Sequence, residues 1–208
     1  MKKSTTQKGT HTMKKTILAT SALTLAALGL FSPVSGQDTF GLELRANGAI
    51  STQDTEREYN ENGFGFEANL QYQFQRNLWA YAGWDWARFS ALNSIAGPEM
   101  DLEQTGYVLG VQYQRTFTET SPTSWWVRFG GIYDHLELED ADGELVDDSD
   151  HGLGVEGGAG ISVPFAGRWS LTPGIRYRKL SRDLEVGGQE VPVKMESLAF
   201  EMGVAVRF

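Results

Sequence analysis

Apolar and polar residues alternate through most of the chain after Gln37, and this period of two marks β-strands; no 3.6-residue pattern interrupts it. The second alternating stretch is the most regular. Phe64, Phe66, Ala68, Leu70, Tyr72 and Phe74 form one face, and Gly65, Glu67, Asn69, Gln71 and Gln73 the other. The last stretch repeats it, with Leu198, Phe200, Met202, Val204, Val206 and Phe208 set against Ala199, Glu201, Gly203, Ala205 and Arg207. Tyr107, Leu109, Val111 and Tyr113 mark a fourth strand, and Leu153, Val155, Ala159, Ile161 and Val163 a sixth. The first, third, fifth and seventh fall near residues 40–53, 78–89, 124–138 and 169–182. The pattern predicts an all-β chain of eight strands.

The strand ends recur as well. Phe74, Phe117, Phe165 and Phe208 close the even-numbered strands at intervals of 43, 48 and 43 residues. A tryptophan opens each following strand: Trp79, Trp125 with Trp126, and Trp169. The connections between these aromatics are short, at residues 75–78, 118–124 and 166–168, whereas those at the opposite ends are longer and acidic. Short turns on one side, long loops on the other and aromatics around the short-turn rim are the layout of a membrane barrel. Phe74, Trp79, Phe117, Trp125, Phe165 and Trp169 are accordingly expected to form a girdle at the lipid boundary.

Alternation by itself fits an exported soluble barrel with its apolar face inward equally well. The polar face separates the two readings. It carries Gly65, Gly83, Gly110, Gly130, Gly154, Gly158, Gly160, Gly174 and Gly203 between Glu, Gln, Asn and Arg residues. Glycine weakens an exposed strand but suits the crowded inside of a narrow barrel. The polar face therefore points inward, the Phe, Leu, Val and Tyr face meets lipid, and closure satisfies the backbone as hydrocarbon requires. The expected fold is a closed, eight-stranded, antiparallel up-and-down transmembrane β-barrel with a polar, plugged interior.

The chain start reads as an address. Residues 1–12 precede a second Met-Lys-Lys and are expected to be an extension outside the fold. Residues 13–36 have the layout of a secretory signal peptide: Lys14-Lys15, an apolar run from Ile17 to Phe31, then Val34-Ser35-Gly36. Residues 37–208 are the expected barrel domain. Residues 1–36 hold five lysines and no acid, so the remainder carries 13 basic against 27 acidic residues, a net charge of −14. Such acidity disfavours nucleic acid, which needs a basic footprint. The chain has no cysteine, which excludes disulfides and thiolate metal sites.

The final strand also resembles an assembly signal. Glu201, Gly203, Val206 and Phe208 resemble the C-terminal pattern by which bacterial barrels are recognised by the outer-membrane assembly machinery. With the signal peptide and the strand count, the chain from residue 37 resembles the small outer-membrane barrels of OmpA/OmpX type. The resemblance implies export to the outer membrane of a Gram-negative-type bacterium, with outer-membrane lipid and lipopolysaccharide as surroundings.

Candidate chemistry is sparse. Arg45, Glu67, Asp85, Arg176 and Glu201 face inward at similar heights, with Glu156 a pair higher, and the strand order of a closed meander predicts a network Glu67, Arg45, Glu201, Arg176, Glu156 that offsets the cost of burying each charge. An eight-stranded bore is just wide enough for side chains to fill it, so this network reads as a plug. In the third long loop Asp140, Asp142, Glu144, Asp147 and Asp148 are a weak calcium candidate beside the plainer reading of a solvated acidic loop. His135 and His151 flank that loop, but neither has a serine two residues on, and no nucleophile and base are placed for catalysis. No cofactor motif is present. The functional expectation is a structural, surface-interaction barrel. It would display loops near residues 54–62, 90–101, 139–150 and 183–191 to an unidentified surface ligand, for adhesion or envelope integrity. A narrow porin-like channel is the alternative, and a lipid-modifying enzyme is a more distant one.

Overall fold

A computed structural model describes residues 39–52, 62–91, 100–140, 142, 144–186 and 189–208. The extension 1–12 and the signal-peptide segment 13–36 lie outside the described residues, as does most of the first two long loops. The strands are β1 (Phe40–Ser51), β2 (Asn62–Gln75), β3 (Leu78–Ala91), β4 (Met100–Thr116), β5 (Ser124–Glu139), β6 (Leu145–Asp148), β7 (Gly152–Ala166), β8 (Trp169–Leu171), β9 (Gly174–Val186) and β10 (Gln189–Arg207).

Eight staves close into an antiparallel meander. Each of β1 to β5 pairs with its sequence neighbour, β5 passes over the β6 hairpin to pair with β7, and β10 returns to β1. The closing seam runs from Gly41↔Arg207 to Ser51↔Ser197, and Phe40 and Phe208 exchange backbone hydrogen bonds of 3.0 and 2.9 Å at its end. β8 and β9 are one stave in two parts, because both pair with β7 and β10. The expected seventh strand is thus interrupted at Thr172-Pro173. Pro173 brings no N–H to the ladder, yet its carbonyl accepts from Ile161 N at 3.0 Å, so pairing with β7 continues across the break.

The three tight connections are built as their residues suggest. Arg76-Asn77 joins β2 to β3 with Asn77 at φ +69°, and Gly167-Arg168 joins β7 to β8 with Gly167 at φ +53°. Residues 117–123 close the third, where Ser121 N donates to Thr118 Oγ1 at 3.1 Å.

Several strands exceed the length of a membrane crossing. β4 has 17 residues, β5 has 16 and β10 has 19, against about 9–11 for a tilted transmembrane strand. The surplus lies at the long-loop end, and there the apolar face changes sides. On the lower part of β5, Val127, Phe129 and Tyr133 point outward and Arg128, Gly130 and Asp134 inward; higher up, Leu136 and Leu138 are buried inside while His135, Glu137 and Glu139 stand outside. β3 switches between Trp86 and Arg88 outside and between Asp85 and Phe89 inside. β9 switches likewise between Tyr177 and Lys179 outside and between Arg178 and Leu180 inside. Hydrocarbon demands an apolar outer face and water a polar one, so this inversion marks where the lipid ends. The barrel above that line is organised as a soluble one, around a core that includes Phe89, Leu102, Leu136, Leu138, Leu180 and Met195. The expectation of a polar interior therefore describes the membrane-height bore, and an apolar layer overlies it.

Candidate functional site

Inward parity places the charged residues of seven staves in one bore, and its narrowness lets them meet across it. Two glycine pairs make the room. Gly110 and Gly130 face each other on β4 and β5, where a Cβ on Gly110 would stand 2.5 Å from the Tyr81 ring. Gly160 and Gly174 pair on β7 and β9 beneath Trp126, with a Cβ on Gly174 falling 2.6 Å from its ring. The two aromatics so accommodated carry cations: Arg45 lies 4.5 Å from the Trp126 ring centroid and Arg128 lies 5.4 Å from that of Tyr81.

At the centre, Glu67 is met by Arg128 at 2.9 Å, by Arg176 in closer contact and by Arg178 at 3.4 Å. Asn69 also donates to Glu67 at 2.6 Å. Arg178 bridges Asp85 and Glu156, the latter at 2.8 Å, and Tyr81 donates its hydroxyl to Glu156 at 2.9 Å. Arg45 joins Glu201 and turns down to Glu43 at 2.8 Å, and Glu43 also accepts from Gln71 at 2.7 Å and Thr172 at 2.6 Å. Among the described residues, the carboxylates of Glu43, Glu67, Asp85, Glu156 and Glu201 thus share the bore with the guanidinium groups of Arg45, Arg128, Arg176 and Arg178, all buried. Higher up, Asp134 pairs with Arg182 and accepts from Gln104 at 2.6 Å.

The five residues singled out from the sequence all lie in this layer, but they connect differently from the expected ring. Arg45 reaches Glu201, and Arg176 stands 3.7 Å from Glu201 and 3.9 Å from Glu156. The expected Glu67–Arg45 pair is replaced: Glu67 is neutralised from the opposite wall by Arg128. Glu43, Arg128 and Arg178 stand outside the network expected from the sequence, although each shares inward parity with a residue of the polar face named there, Arg45, Gly130 and Arg176 respectively. A network drawn only between adjacent strands omits contacts that cross a bore this narrow.

Below the charge layer lies a polar cavity of about 320 Å³ at the short-turn mouth, lined by Gln73, Gln114, Arg115, Ser162 and Arg207 among others. Trp79 is here too, 2% exposed, with Arg207 stacked 4.4 Å from its ring centroid. Its place in the expected lipid girdle is therefore corrected. Leu78 opens the strand, so Trp79 shares parity with Gly83 and Asp85 and faces the lumen. Phe74, Phe117, Phe165 and Trp169 are exposed on the outer wall, and Trp125 leans there against Tyr113 at 5.3 Å. At the end of β10, Glu201 and Gly203 face inward, Val206 lies on the outer-face parity, and Phe208 stacks on Phe40 at 6.5 Å.

In the third loop, Asp140 Oδ1 accepts from the backbone N–H groups of Asp142 at 3.0 Å and Glu144 at 2.8 Å, so this residue of the calcium candidate shapes the turn. Asp142 and Glu144 are exposed, the side chain of Asp147 lies outside the described residues, and Asp148 stands with His135 and Glu137 on β6 and β5.

The sequence profile of the family described as "Outer membrane protein beta-barrel domain" matches residues 16–208. No protein of curated function matches the chain. Among solved structures, the fold is similar to Neisserial surface protein A (NspA), with TM-score 0.61 and 17% identity over 81% of this chain and 97% of that one. It is similar to OprG of Pseudomonas aeruginosa, with TM-score 0.53 and 10% identity over 85% and 99% of the two chains. It is also similar to Ail, the attachment invasion locus protein of Yersinia pestis, with TM-score 0.52 and 13% identity over 83% and 100%. Identities this low speak for the architecture alone.

Proposed function

The chain belongs to the outer membrane protein β-barrel domain family, and from that membership and its filled bore we propose that it is a structural, surface-interaction barrel that displays acidic extracellular loops for adhesion or envelope integrity. The observation that carries this reading is the double closure of the lumen. The ionic layer around Glu67 spans the bore, and the apolar layer around Leu136 lies above it, so an ion entering from either end meets side chains packed against one another. A layer of leucine, phenylalanine and methionine also gives an ion nothing to replace its hydration. Recognition then falls to the loops that the rigid barrel carries, in keeping with the similar fold of Ail, an attachment invasion locus protein. No catalytic role is assigned in this reading.

The polar cavity at the short-turn mouth favours the alternative of a narrow channel, and conductance separates the two. Purified protein in planar bilayers is expected to give no unitary steps. Clear steps that vanish in Arg45→Ala or Arg176→Ala would replace the plug with a pore.

The same reading carries a topology. A signal peptide cleaved after Gly36 delivers the chain to the periplasm, the assembly machinery engages Glu201, Gly203, Val206 and Phe208, and the short turns remain periplasmic with lipopolysaccharide around the outer wall. Protease added to intact cells is expected to cut within residues 54–62, 90–101, 139–150 or 183–191. Cuts confined to Arg76-Asn77 or Gly167-Arg168 would invert the orientation.

A further inference from the structure

Just above the line where the barrel's apolar face turns inward, the outer wall of β5 and β6 gathers His135, Glu137 and Asp148, whose ligand atoms all lie within 4.8 Å of one another. His135 Nε2 is 2.9 Å from Glu137 Oε1. The ring of His151, which follows β6, lies 4.5 Å from that of His135 and 5.2 Å from Tyr133. We propose that His135, Glu137 and Asp148 bind one divalent transition-metal ion of the zinc class, with the neighbouring His151, which lies outside the 4.8 Å cluster, turning its ring in as the fourth ligand, so that the ion clamps the β5–β6 hairpin to the base of β7.

Three observations support a cation here. First, Glu137 and Asp148 are direct cross-strand partners, and Glu103 lies opposite Glu137 on the other side, so three carboxylates run in a row across adjacent strands. Like charges placed directly opposite destabilise a sheet. Among the described residues no lysine or arginine pairs with Glu137 or Asp148, because the nearby Arg88 is engaged by Asp101 at 2.6 Å and Glu139 at 3.1 Å. Second, His135 Nδ1 is buried without a hydrogen-bond partner, so the imidazole is only half satisfied by the protein. Third, the spacing suits the ion. Zinc bonds of about 2.0–2.1 Å to nitrogen and oxygen in a tetrahedron place ligand atoms about 3.3 Å apart, within the 4.8 Å that bounds the cluster.

The donor set selects the class of ion. Two imidazoles and two carboxylates suit zinc and its neighbours, whereas calcium takes six to eight oxygens and no imidazole. The site is also distinct from the acidic turn at Asp140, with which it shares only Asp148. A metal bound here would fasten the third hairpin, whose strand β6 otherwise pairs with β5 through only Leu145 to Asp148.

Isothermal titration of the folded protein in detergent with ZnCl2 tests the proposal, with CaCl2 as a parallel arm and Co2+ absorption as a second readout. One zinc per chain is expected. His135→Ala and Asp148→Asn should each weaken it on the order of tenfold or more, the loss that even an outer partner of a metal ligand can cause, while Asp142→Asn leaves it unchanged. Bound Co2+ should show the visible bands of a low-coordinate site, absent in His135→Ala. The altered side chains lie on the outer wall above the lipid, and the folded fraction of each variant is read from its gel mobility. The proposal is overturned by the absence of zinc heat at submillimolar concentration, by zinc binding indifferent to His135→Ala, by equal weakening in Asp142→Asn, or by calcium binding as tightly at the same stoichiometry.

Discussion

Glu67→Ala is expected to lower the unfolding free energy of the barrel by about 3–5 kcal/mol, the cost of removing one partner from a buried ion network. Glu67 is the hub on which Arg128, Arg176 and Arg178 converge, and Asn69 donates to it as well. Without it, Arg178 keeps Asp85 and Glu156, but Arg128 and Arg176 are left with only the longer contacts of 3.5–3.9 Å to Glu156 and Glu201, so two buried guanidinium groups lose their close carboxylate. Glu67→Gln separates charge from shape, since the amide keeps the volume and an acceptor but loses the charge. The outer ion pair of Arg88 with Asp101 supplies the contrast. Its side chains are 30% exposed, and Arg88→Ala should cost about 0–1 kcal/mol. Urea unfolding in lipid vesicles, followed by tryptophan fluorescence, measures both. A Glu67→Ala barrel within about 0.5 kcal/mol of the parent would mean that water solvates the bore, and the plug reading would fail with it.

How this layer and its surroundings could be read from sequence differs from strand to strand. β2 and the lower part of β10 alternate without interruption, so their faces and the inward direction of Glu67 and Glu201 were plain. The recurring phenylalanines placed the short turns where Asn77 and Gly167 take positive φ. Trp79 reads as a girdle residue from its place at a strand start, whereas its parity with Gly83 turns it into the lumen. Arg128 was hidden in Trp125-Trp126-Val127-Arg128, where two tryptophans face opposite ways and blur the alternation. The upper layer was least legible. There the run Tyr133-Asp134-His135-Leu136-Glu137-Leu138 changes apolar side in mid-strand, which reads as irregularity when a strand is assumed to end with the membrane. The His135 cluster depends on a hairpin register, Glu137↔Asp148 with a shift at Glu139, that local pattern does not encode.

That inversion carries the second large expected effect. Leu136→Ala should cost about 2–5 kcal/mol, as deletion of a core leucine side chain does in a soluble protein, although it sits in the part of the barrel above the lipid. Leu136 is 0% exposed, belongs to the cluster with Phe89, Leu102 and Leu180, and its backbone is held at both ends by Ser149, whose N–H donates to the Leu136 carbonyl at 2.8 Å and whose Oγ accepts from Leu136 N at 2.8 Å. Leu145 on the same hairpin is 58% exposed, and Leu145→Ala should stay within about 0.5 kcal/mol of the parent. Leu136→Asp should cost more than the alanine, because its carboxylate would be buried in an apolar layer, and the amide of Gln104 directly opposite already donates to Asp134. The measurement is again urea unfolding, now with hydrogen exchange on the β5 amides to localise the loss. If Leu136→Ala proved as mild as Leu145→Ala, the upper lumen would have to be wet and loosely packed. The strands would then extend beyond the membrane without a core to hold them, and the rigid display of the outer loops, on which the proposed surface role rests, would lose its physical basis.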